Sequence, residues 1–323
     1  MINILLTSVG RRVSLVKFFK EVLKGDEYIY TTDCDPTAPG LYVADKSFLV
    51  PKVTDKDYIP FLLEKCKREN IQLIIPLIDP ELPILAKNRE ELLKEDILPL
   101  ISSYETVIIG YDKFLTYEFL SKNSLPTPKT FVIDKDIQSF RNKMNFPIII
   151  KPRFGSASIG VQRCEDFEDV EFYSKKISEP ILQEFLRGEE ITIDVLSDFE
   201  GIPLSIVQRK RLKTRAGEVE RGITIKDYDL LLLTLKLVKK LKPCGVINIQ
   251  CFSTSEGFYF TEINPRFGGG YPLSYYAGAN FPEMIIKLAK GEKVEPAIGN
   301  YKEGVLMLRY DEGIYINKDD ILL

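Results

Sequence analysis

Residues 245–266 read GVINIQCFSTSEGFYFTEINPR, and their alternation decides the fold class of the second half of the chain. Two runs, Gly245 to Phe252 and Phe258 to Asn264, flank the turn-like stretch Ser253 to Gly257, which is the pattern of a β-hairpin. With the hairpin centred on Glu256, Gln250 faces Glu262 and Asn248 faces Asn264. Side chains on a strand alternate, so these four residues share one sheet face. Ile247, Ile249, Cys251 and Ile263 point the other way. One face is therefore apolar and buried, while the other carries amides and a carboxylate. Gln250, Glu262 and Asn264 are all oxygen donors, a set suited to Mg2+ carried by a nucleotide's phosphates. Taken alone, the pattern equally fits a hydrogen-bonded polar face of a half-exposed sheet.

Upstream, residues 147–161 read PIIIKPRFGSASIGV. An apolar strand ends at Lys151, whose ammonium emerges at the strand end. The loop Gly155 to Gly160 follows, with Ser156 and Ser158 between its glycines. Small residues let backbone N–H groups approach phosphate oxygens closely. It is not a Walker motif, because no helix and no GK[ST] follow. Residues 182–196, LQEFLRGEEITIDVL, feed a strand through a linker into a second strand. Backbone groups of Glu184, Phe185 and Leu186 there could meet an adenine edge, and a carboxylate after Gly188 could accept ribose hydroxyls. Residues 208–222, QRKRLKTRAGEVERG, form a basic run read as a lid over phosphates. Arg209 and Arg211 are its best candidates, because alternate residues share a strand face. Residues 267–271, FGGGY, directly follow the hairpin and allow close backbone approach to an acceptor substrate.

The first hundred residues have a different texture. Strands at Ile2 to Thr7, Tyr28 to Thr32 and Gln72 to Pro76 alternate with helices at Val13 to Leu23, Asp55 to Glu69 and Leu82 to Leu93. This βαβ rhythm predicts a parallel sheet with right-handed crossovers. Ligands of such sheets bind beyond the carboxyl ends of the strands. Those ends carry Ser8 to Arg12, Asp33 to Asp35 and Asp79 to Glu81, so Arg11, Asp33, Asp79 and Glu81 are candidates without assigned roles. Arg11 and Arg12 are either an anion site or a solvated helix start. The dinucleotide fingerprint GxGxxG is missing after the first strand, which tells against a nicotinamide-dependent dehydrogenase. Further along, helices are expected at Asp112 to Lys122, capped by Asp112, near Asp136 to Lys143, beyond Glu165, and at Tyr228 to Leu241. Strands are expected at Thr130 to Ile133, Ile181 to Phe185, Ile191 to Leu196 and Leu204 to Gln208.

Composition narrows the chemistry. The chain has 323 residues, too many for one ordinary core and enough for two or three. Net charge is −3, so no basic field for nucleic acid exists. No apolar run is long enough to span a bilayer, and a cytoplasmic location is expected. The five cysteines are scattered without a CxxC pair and read as reduced thiols. There is no histidine. That removes Ser-His-Asp and Cys-His catalysis and the usual zinc sites. Phosphoryl transfer, driven by positioning and electrostatics, is the chemistry that fits best.

The order and spacing of these elements resemble the ATP-grasp superfamily, in particular the ATP-binding halves of the carbamoyl phosphate synthetase large subunit and small carboxylate-amine ligases. The resemblance implies an α/β Rossmann-like pre-ATP-grasp domain over 1–110. An α+β ATP-grasp fold would follow, with a central subdomain over 111–185 and a C-terminal one over 186–323. It implies ATP with Mg2+, or Mn2+, as cofactors. Lys113 and Lys151 would contact phosphates, helped by Gly155, Ser156 and Ser158. Glu184, Phe185 and Leu186 would hold adenine. Glu190, or Glu189 in the neighbouring register, would hold ribose, and Asn248 would join the nucleotide contacts. Gln250, Glu262 and Asn264 would be the metal ligands, and Arg266, with Arg209 and Arg211, would stabilise the transferring phosphoryl group. The implied reaction phosphorylates a small-molecule carboxylate to an acyl phosphate and couples it to an amine. A bicarbonate-phosphorylating enzyme or a non-catalytic ATP sensor are the alternatives. A homodimer, with neither nucleic acid nor membrane as partner, is the expected assembly.

Overall fold

The computed structural model describes residues 2–133, 140, 145–156, 158–215 and 217–322. The βαβ pattern folds as expected. Strands β1 (Ile4–Thr7), β2 (Ile29–Asp33), β3 (Lys46–Leu49), β4 (Leu73–Pro76) and β5 (Leu98–Pro99) are parallel, in the order β3-β2-β1-β4-β5. Every residue of β1 and β4 is buried, because helices cover both faces. Helix α1 (Val13–Val22) packs Leu15, Val16, Phe18 and Phe19 against Ile4 and Leu6. Helix α2 (Tyr58–Arg68) packs Tyr58, Leu62 and Cys66 against Leu5 and Ile74 on the other side. Strand order reverses between β1 and β4. The segments leaving these two strands, 8–12 and 77–81, thus frame a crevice at their carboxyl ends.

The helix expected over Leu82 to Leu93 is two helices, α3 (Leu82–Lys87) and α4 (Arg89–Lys94). Asn88 ends the first by donating its side-chain amide to the Ile84 carbonyl at 2.8 Å, a local bond that competes with the helix. Helix α5 (Tyr104–Tyr111) was not expected. Helix α6 (Lys113–Lys122) starts as expected, with Asp112 accepting from the N–H groups of Phe114 and Leu115 at 2.9 and 3.3 Å.

A second, antiparallel sheet contains β6 (Thr130–Val132), β7 (Ile148–Pro152), β8 (Gln162–Cys164) and β9 (Pro180–Glu184), ordered β6-β9-β7-β8, with α7 (Phe167–Ser174) before β9. The helix expected near Asp136 to Lys143 falls outside the described residues, Phe140 apart. The third sheet is also antiparallel. It holds β10 (Gly188–Ser197), β11 (Pro203–Arg215), β12 (Glu218–Ile225), β13 (Gly245–Thr254), β14 (Gly257–Asn264) and β15 (Leu306–Leu308), ordered β14-β13-β10-β11-β12-β15. Helix α8 (Tyr228–Leu241) buries Leu230, Thr234, Leu237, Val238 and Leu241 along one stripe. It meets the apolar hairpin face, Ile247, Ile249, Cys251 and Ile263. Leu120 of α6 and Leu125 join this core, so α6 packs with the third sheet, although a boundary at 111 groups it with the second. Helices α9 (Tyr271–Tyr276) and α10 (Phe281–Ala289) pack on α1, with the Phe18 and Tyr275 rings stacked 3.8 Å apart. The first sheet and the C-terminal part thereby share one core.

The basic run is not a lid loop. It lies in β11, which continues to Arg215 and pairs with β12. Strand continuation follows from its ion pairs. Lys210 meets Glu189, Lys213 meets Glu220, and Arg215 meets Asp311, each at 2.5 to 2.9 Å.

Candidate active site

One face of the third sheet carries the polar residues. Strand β10 supplies Glu190, Thr192 and Asp194; β11 supplies Arg209 and Arg211; β13 supplies Asn248 and Gln250; β14 supplies Glu262 and Asn264. Thr192 pairs with both Arg209 and Gln250, Asp194 with Asn248, Gln250 with Glu262, and Asn248 with Asn264. The expected register therefore holds where it matters, but through a bulge. Nearer the turn the pairing is one residue out, with Cys251 facing Phe260 and Thr254 facing Gly257. The extra residue, Thr261, restores the alignment for Glu262 and Asn264.

Asp194 anchors the floor. It is fully buried and accepts from Arg209 Nε at 2.7 Å and Nη2 at 2.9 Å, from Asn248 Nδ2 at 2.6 Å and from the Ser274 hydroxyl at 2.6 Å. Four donors satisfy a carboxylate that would otherwise be costly to bury. Arg209 is 1% exposed and spends its fork on Asp194, so it braces the site floor and borders the cavity only along one edge. The glycines 268–270 make room for these side chains. A Cβ at Gly270 would lie 2.3 Å from Arg209 Nη1, and one at Gly268 would lie 2.5 Å from Asn248 Nδ2. The close approach expected of this loop is thus made by protein side chains.

At one end of the face stand two buried lysines. Lys113 donates to the Gly155 carbonyl at 2.5 Å, tying α6 to the small-residue loop. Lys151, 5% exposed, lies 3.6 Å from Glu262. Burial holds its ammonium below the usual lysine range; Glu262 opposes this and Lys113 adds to it. Gly155, Ser156 and Ser158 line the same cleft, together with Gln250 and Glu262. Glu184 pairs with Ile148 on β7, three residues before Lys151, which is about 10 Å along a strand and spans a nucleoside. Phe185 beside it lies under the Arg163 guanidinium, 4.6 Å from its ring centre, and Leu186 ends the linker to β10. Glu190 is on the site face and is bonded to Arg211, whereas Glu189 faces outward with Lys210. Burial raises the Glu190 carboxyl against the pull of Arg211, and Glu262 adds to the rise.

At the other end, Arg266 donates to Asp79 at 2.6 Å and to the Phe267 carbonyl at 3.0 Å. Asp79 comes from the segment after β4, so the first sheet completes the site. The Nε atoms of Arg211 and Arg266 are buried without partners among the described residues. Both line a cavity of about 200 Å³ with Gln250, Glu262 and Asn264. Two unsatisfied guanidinium donors suit an anionic ligand. Gln250, Glu262 and Asn264 supply one carboxylate and two amides. Among the described residues no three His, Cys, Asp or Glu side chains are grouped so as to hold a metal ion by themselves. The set fits Mg2+ that arrives with phosphates carrying most of its compensating charge.

Arg12 also borders this cavity, as do Glu218 and Gly269. Of the candidates after the first-sheet strands, Asp33 instead holds the turn after β1 by accepting from Gly10 at 2.8 Å and its own turn by accepting from the Asp35 N–H at 3.0 Å. Glu81 is buried against the Tyr58 hydroxyl at 2.5 Å, and burial raises its pKa. Glu218 and Arg309, paired at 3.0 Å, were missed. Glu218 sat unmarked inside the basic run, and no motif surrounds Arg309. Burial lifts the Cys66 and Cys251 thiols to about 12 and those of Cys164 and Cys244 to about 11, so these four stay protonated and unreactive. No helix among the described residues is long and apolar enough to cross a membrane.

Comparison with known proteins agrees with this fold. A family model described as "PylC-like, N-terminal domain" matches residues 4–100, and one described as "ATP-grasp in the biosynthetic pathway with Ter operon" matches residues 176–311. The chain is 29% identical over 280 residues to a carbamoyl-phosphate synthase of Methanobrevibacter smithii, covering 81% of this chain and 74% of that one. It is 27% identical to the carbamoyl phosphate synthase large chain of Lachnoclostridium phytofermentans, over 75% of this chain but only 25% of that protein's length. Its fold superposes with a TM-score of 0.76, at 16% identity, on the biotin carboxylase domain of Hydrogenobacter thermophilus 2-oxoglutarate carboxylase, solved with MgADP, ADP and bicarbonate; the match covers 95% of this chain and 73% of that one.

Proposed function

We propose that this chain, a member of the ATP-grasp superfamily, is a ligase that uses ATP to phosphorylate a substrate carboxylate and couples the acyl phosphate to an amine, releasing ADP and phosphate. The observation that carries the proposal is a single sheet face with Gln250, Glu262 and Asn264 between a buried lysine pair and the partly unsatisfied Arg266. Lys113, Lys151 and the 155–160 loop hold the phosphates. Glu184, Phe185 and Leu186 receive adenine, and Glu190 turns from Arg211 to ribose. Gln250, Glu262 and Asn264 hold Mg2+, or Mn2+, which when bound neutralises charge developing on the phosphates. Arg266, aimed by Asp79, binds the transferring phosphoryl group, and Arg211 turns its spare donors to the same oxygens. Arg209 acts on the reaction through Asp194 and Asn248, as a positioning residue. No step requires histidine. The proposal also assigns the enzyme to the cytoplasm, where its thiols stay reduced.

Phosphorylation of bicarbonate fits less well. Beside the phosphate site lies a further cavity of about 320 Å³, far more room than bicarbonate needs. The test is ADP release from MgATP in the presence of paired amino-acid and amine pools. Wild-type protein should release ADP only when an acid is present. Glu262→Ala should lower that rate by about 10²–10³-fold, as expected for loss of a group that stabilises transferring charge, with an unchanged circular dichroism spectrum. ATP consumption by Glu262→Ala at the wild-type rate would refute the metal assignment.

A further inference from the structure

The cavity of about 320 Å³ lies where the first sheet meets the glycine loop, and it has an unbalanced charge. Arg11, Arg12 and Arg309 line it, and Glu218 is the one carboxylate among its lining residues. Glu218 is already engaged. One oxygen accepts from Arg309 at 3.0 Å, and against the opposing effect of burial the cations, Arg12 foremost, hold its carboxyl below the usual range. The Arg12 guanidinium makes no hydrogen bond or ion pair among the described residues, although the residue's backbone N–H donates to the Val9 carbonyl at 2.9 Å. The half-buried guanidinium is pressed against the bare Cα of Gly269, where a Cβ would lie 2.8 Å from Nη1. Enclosure, then the neighbouring Arg266, hold Arg12 down to about 10. The helix that begins just after it, α1, adds to the field. It is ten residues long, lacks a side-chain cap and has no acidic residue in its first turn, so its positive end is uncompensated. Ser14 of that turn lines the cavity.

Cations set into a cavity wall are normally matched by partners inside the fold. Here the match is incomplete, and the vacant side of Arg12 faces a cavity large enough for several heavy atoms. Most of the remaining wall is apolar, from Val9, Leu15, Ile78 and Pro272, with Ser8 and Tyr271 beside them. Arg12, Ile78, Glu218 and Gly269 line both this cavity and the one holding Arg266, so the two share a wall.

We infer that this cavity binds a second oxyanion of the substrate, a carboxylate or a phosphate, clamped by Arg12 and Arg309 with Arg11 at the mouth. The acid activated at Arg266 is then a short dianion with an apolar middle, such as a dicarboxylate or a phosphorylated acid. A neutral or basic amino acid would leave the arginines unmatched. The inference rests on the ligase assignment for the role of the Arg266 end.

Two measurements separate them. The first is calorimetric titration of the protein saturated with MgADP, using glutarate, O-phosphoserine, butyrate and lysine as probes. Glutarate or O-phosphoserine should bind at least tenfold more tightly than butyrate and lysine, and the stronger of the two identifies the oxyanion. Arg12→Gln and Arg309→Gln should each weaken that binding tenfold or more while MgADP affinity, which reports the fold, stays at the wild-type value. Equal binding of butyrate or lysine, wild-type affinity in both variants, or no binding of either dianion would overturn the inference. The second measurement is ADP release from MgATP with the same four acids and an amine pool. Release driven best by lysine, at the same KM in Arg12→Gln, would overturn the inference and leave the ligase assignment standing. Arg12-dependent dianion binding without ADP release under any acid would do the reverse.

Discussion

Lys151 shows how far a site residue can be at odds with the stability of its own fold. Its ammonium is buried, 3.6 Å from Glu262, with Lys113 beside it. Burial lowers its pKa from the ordinary value, so in the folded chain the charged form is disfavoured. The sign follows from proton binding. Between the lowered pKa and 10.5 the unfolded chain holds the proton that the folded chain has lost, so stability from this group rises with pH in that window. Below it, the cost of the buried charge is felt in full. A phosphate group would reverse the balance by supplying the missing counter-charge. Lys151→Met is therefore expected to raise the melting temperature of the nucleotide-free protein at pH 7 by a few degrees, on a scale of about 2–4 °C per kcal/mol. The advantage should shrink as pH climbs towards 10.5, and MgATP should no longer shift the variant's melting curve. A variant that melts below wild type at pH 7 would show that the Glu262 pair outweighs burial. Asp194 is the opposite case. It is buried with four donors satisfied, and Asp194→Ala would leave Arg209 charged and unpaired. That should cost about 3–5 kcal/mol in urea unfolding; a loss under 1 kcal/mol would mean that Arg209 finds water.

At the scale of elements, the hairpin β13–β14 was legible and the basic run was not. Alternation put Gln250, Glu262 and Asn264 on one face, because Ile247, Ile249 and Ile263 must share the buried one, and centring the hairpin on Glu256 placed Gln250 opposite Glu262. The bulge at Thr261 left no mark in the sequence, since a threonine is at home in any strand. In β11, five cations in seven residues read as a mobile lid, but their acids lie elsewhere: Asp194 and Glu189 on β10, Glu220 on β12 and Asp311 after β15. Long-range pairs of that kind are invisible without the fold. The break at Asn88 and helix α5 were missed for a local reason: the apolar spacing runs on through Asn88, and residues 104–111 are too uniformly apolar to show a face. The glycine loop was read for the right residue type and the wrong neighbour. It gives way to Arg209 and Asn248, which makes Gly270→Ala a test of the floor. The added Cβ would meet Arg209 Nη1 at 2.3 Å and must displace the guanidinium from Asp194. Overpacking of this kind costs about 1–3 kcal/mol. The expected result is a matching loss of stability together with lost ADP release. Wild-type stability would show that the loop can shift at no cost.

Across the whole molecule, the two halves meet at a point of chemistry. The parallel sheet reverses strand order between β1 and β4. That crevice delivers Arg12 from one side and Asp79 from the other to the end of β14. Asp79 grips Arg266 at 2.6 Å, and Gly110, before α6, sits so close that a Cβ would touch the Ile263 carbonyl at 2.7 Å. The first sheet thus braces Arg266 and, in the proposed reaction, walls the site of the acid. Asp79 spends its carboxylate on Arg266 and bonds to neither Lys113 nor Lys151, so its loss should misplace Arg266 with little effect on nucleotide affinity. Asp79→Ala is expected to lower kcat by about 10²-fold, the penalty of a group displaced by about an ångström, while the Kd for MgATP changes less than twofold. Asp79→Glu, which can still reach the guanidinium, should recover part of kcat. If Asp79→Ala instead weakens MgATP binding and kcat in step, the brace acts on the whole interface between the halves, and Arg266 needs no aiming from the first sheet.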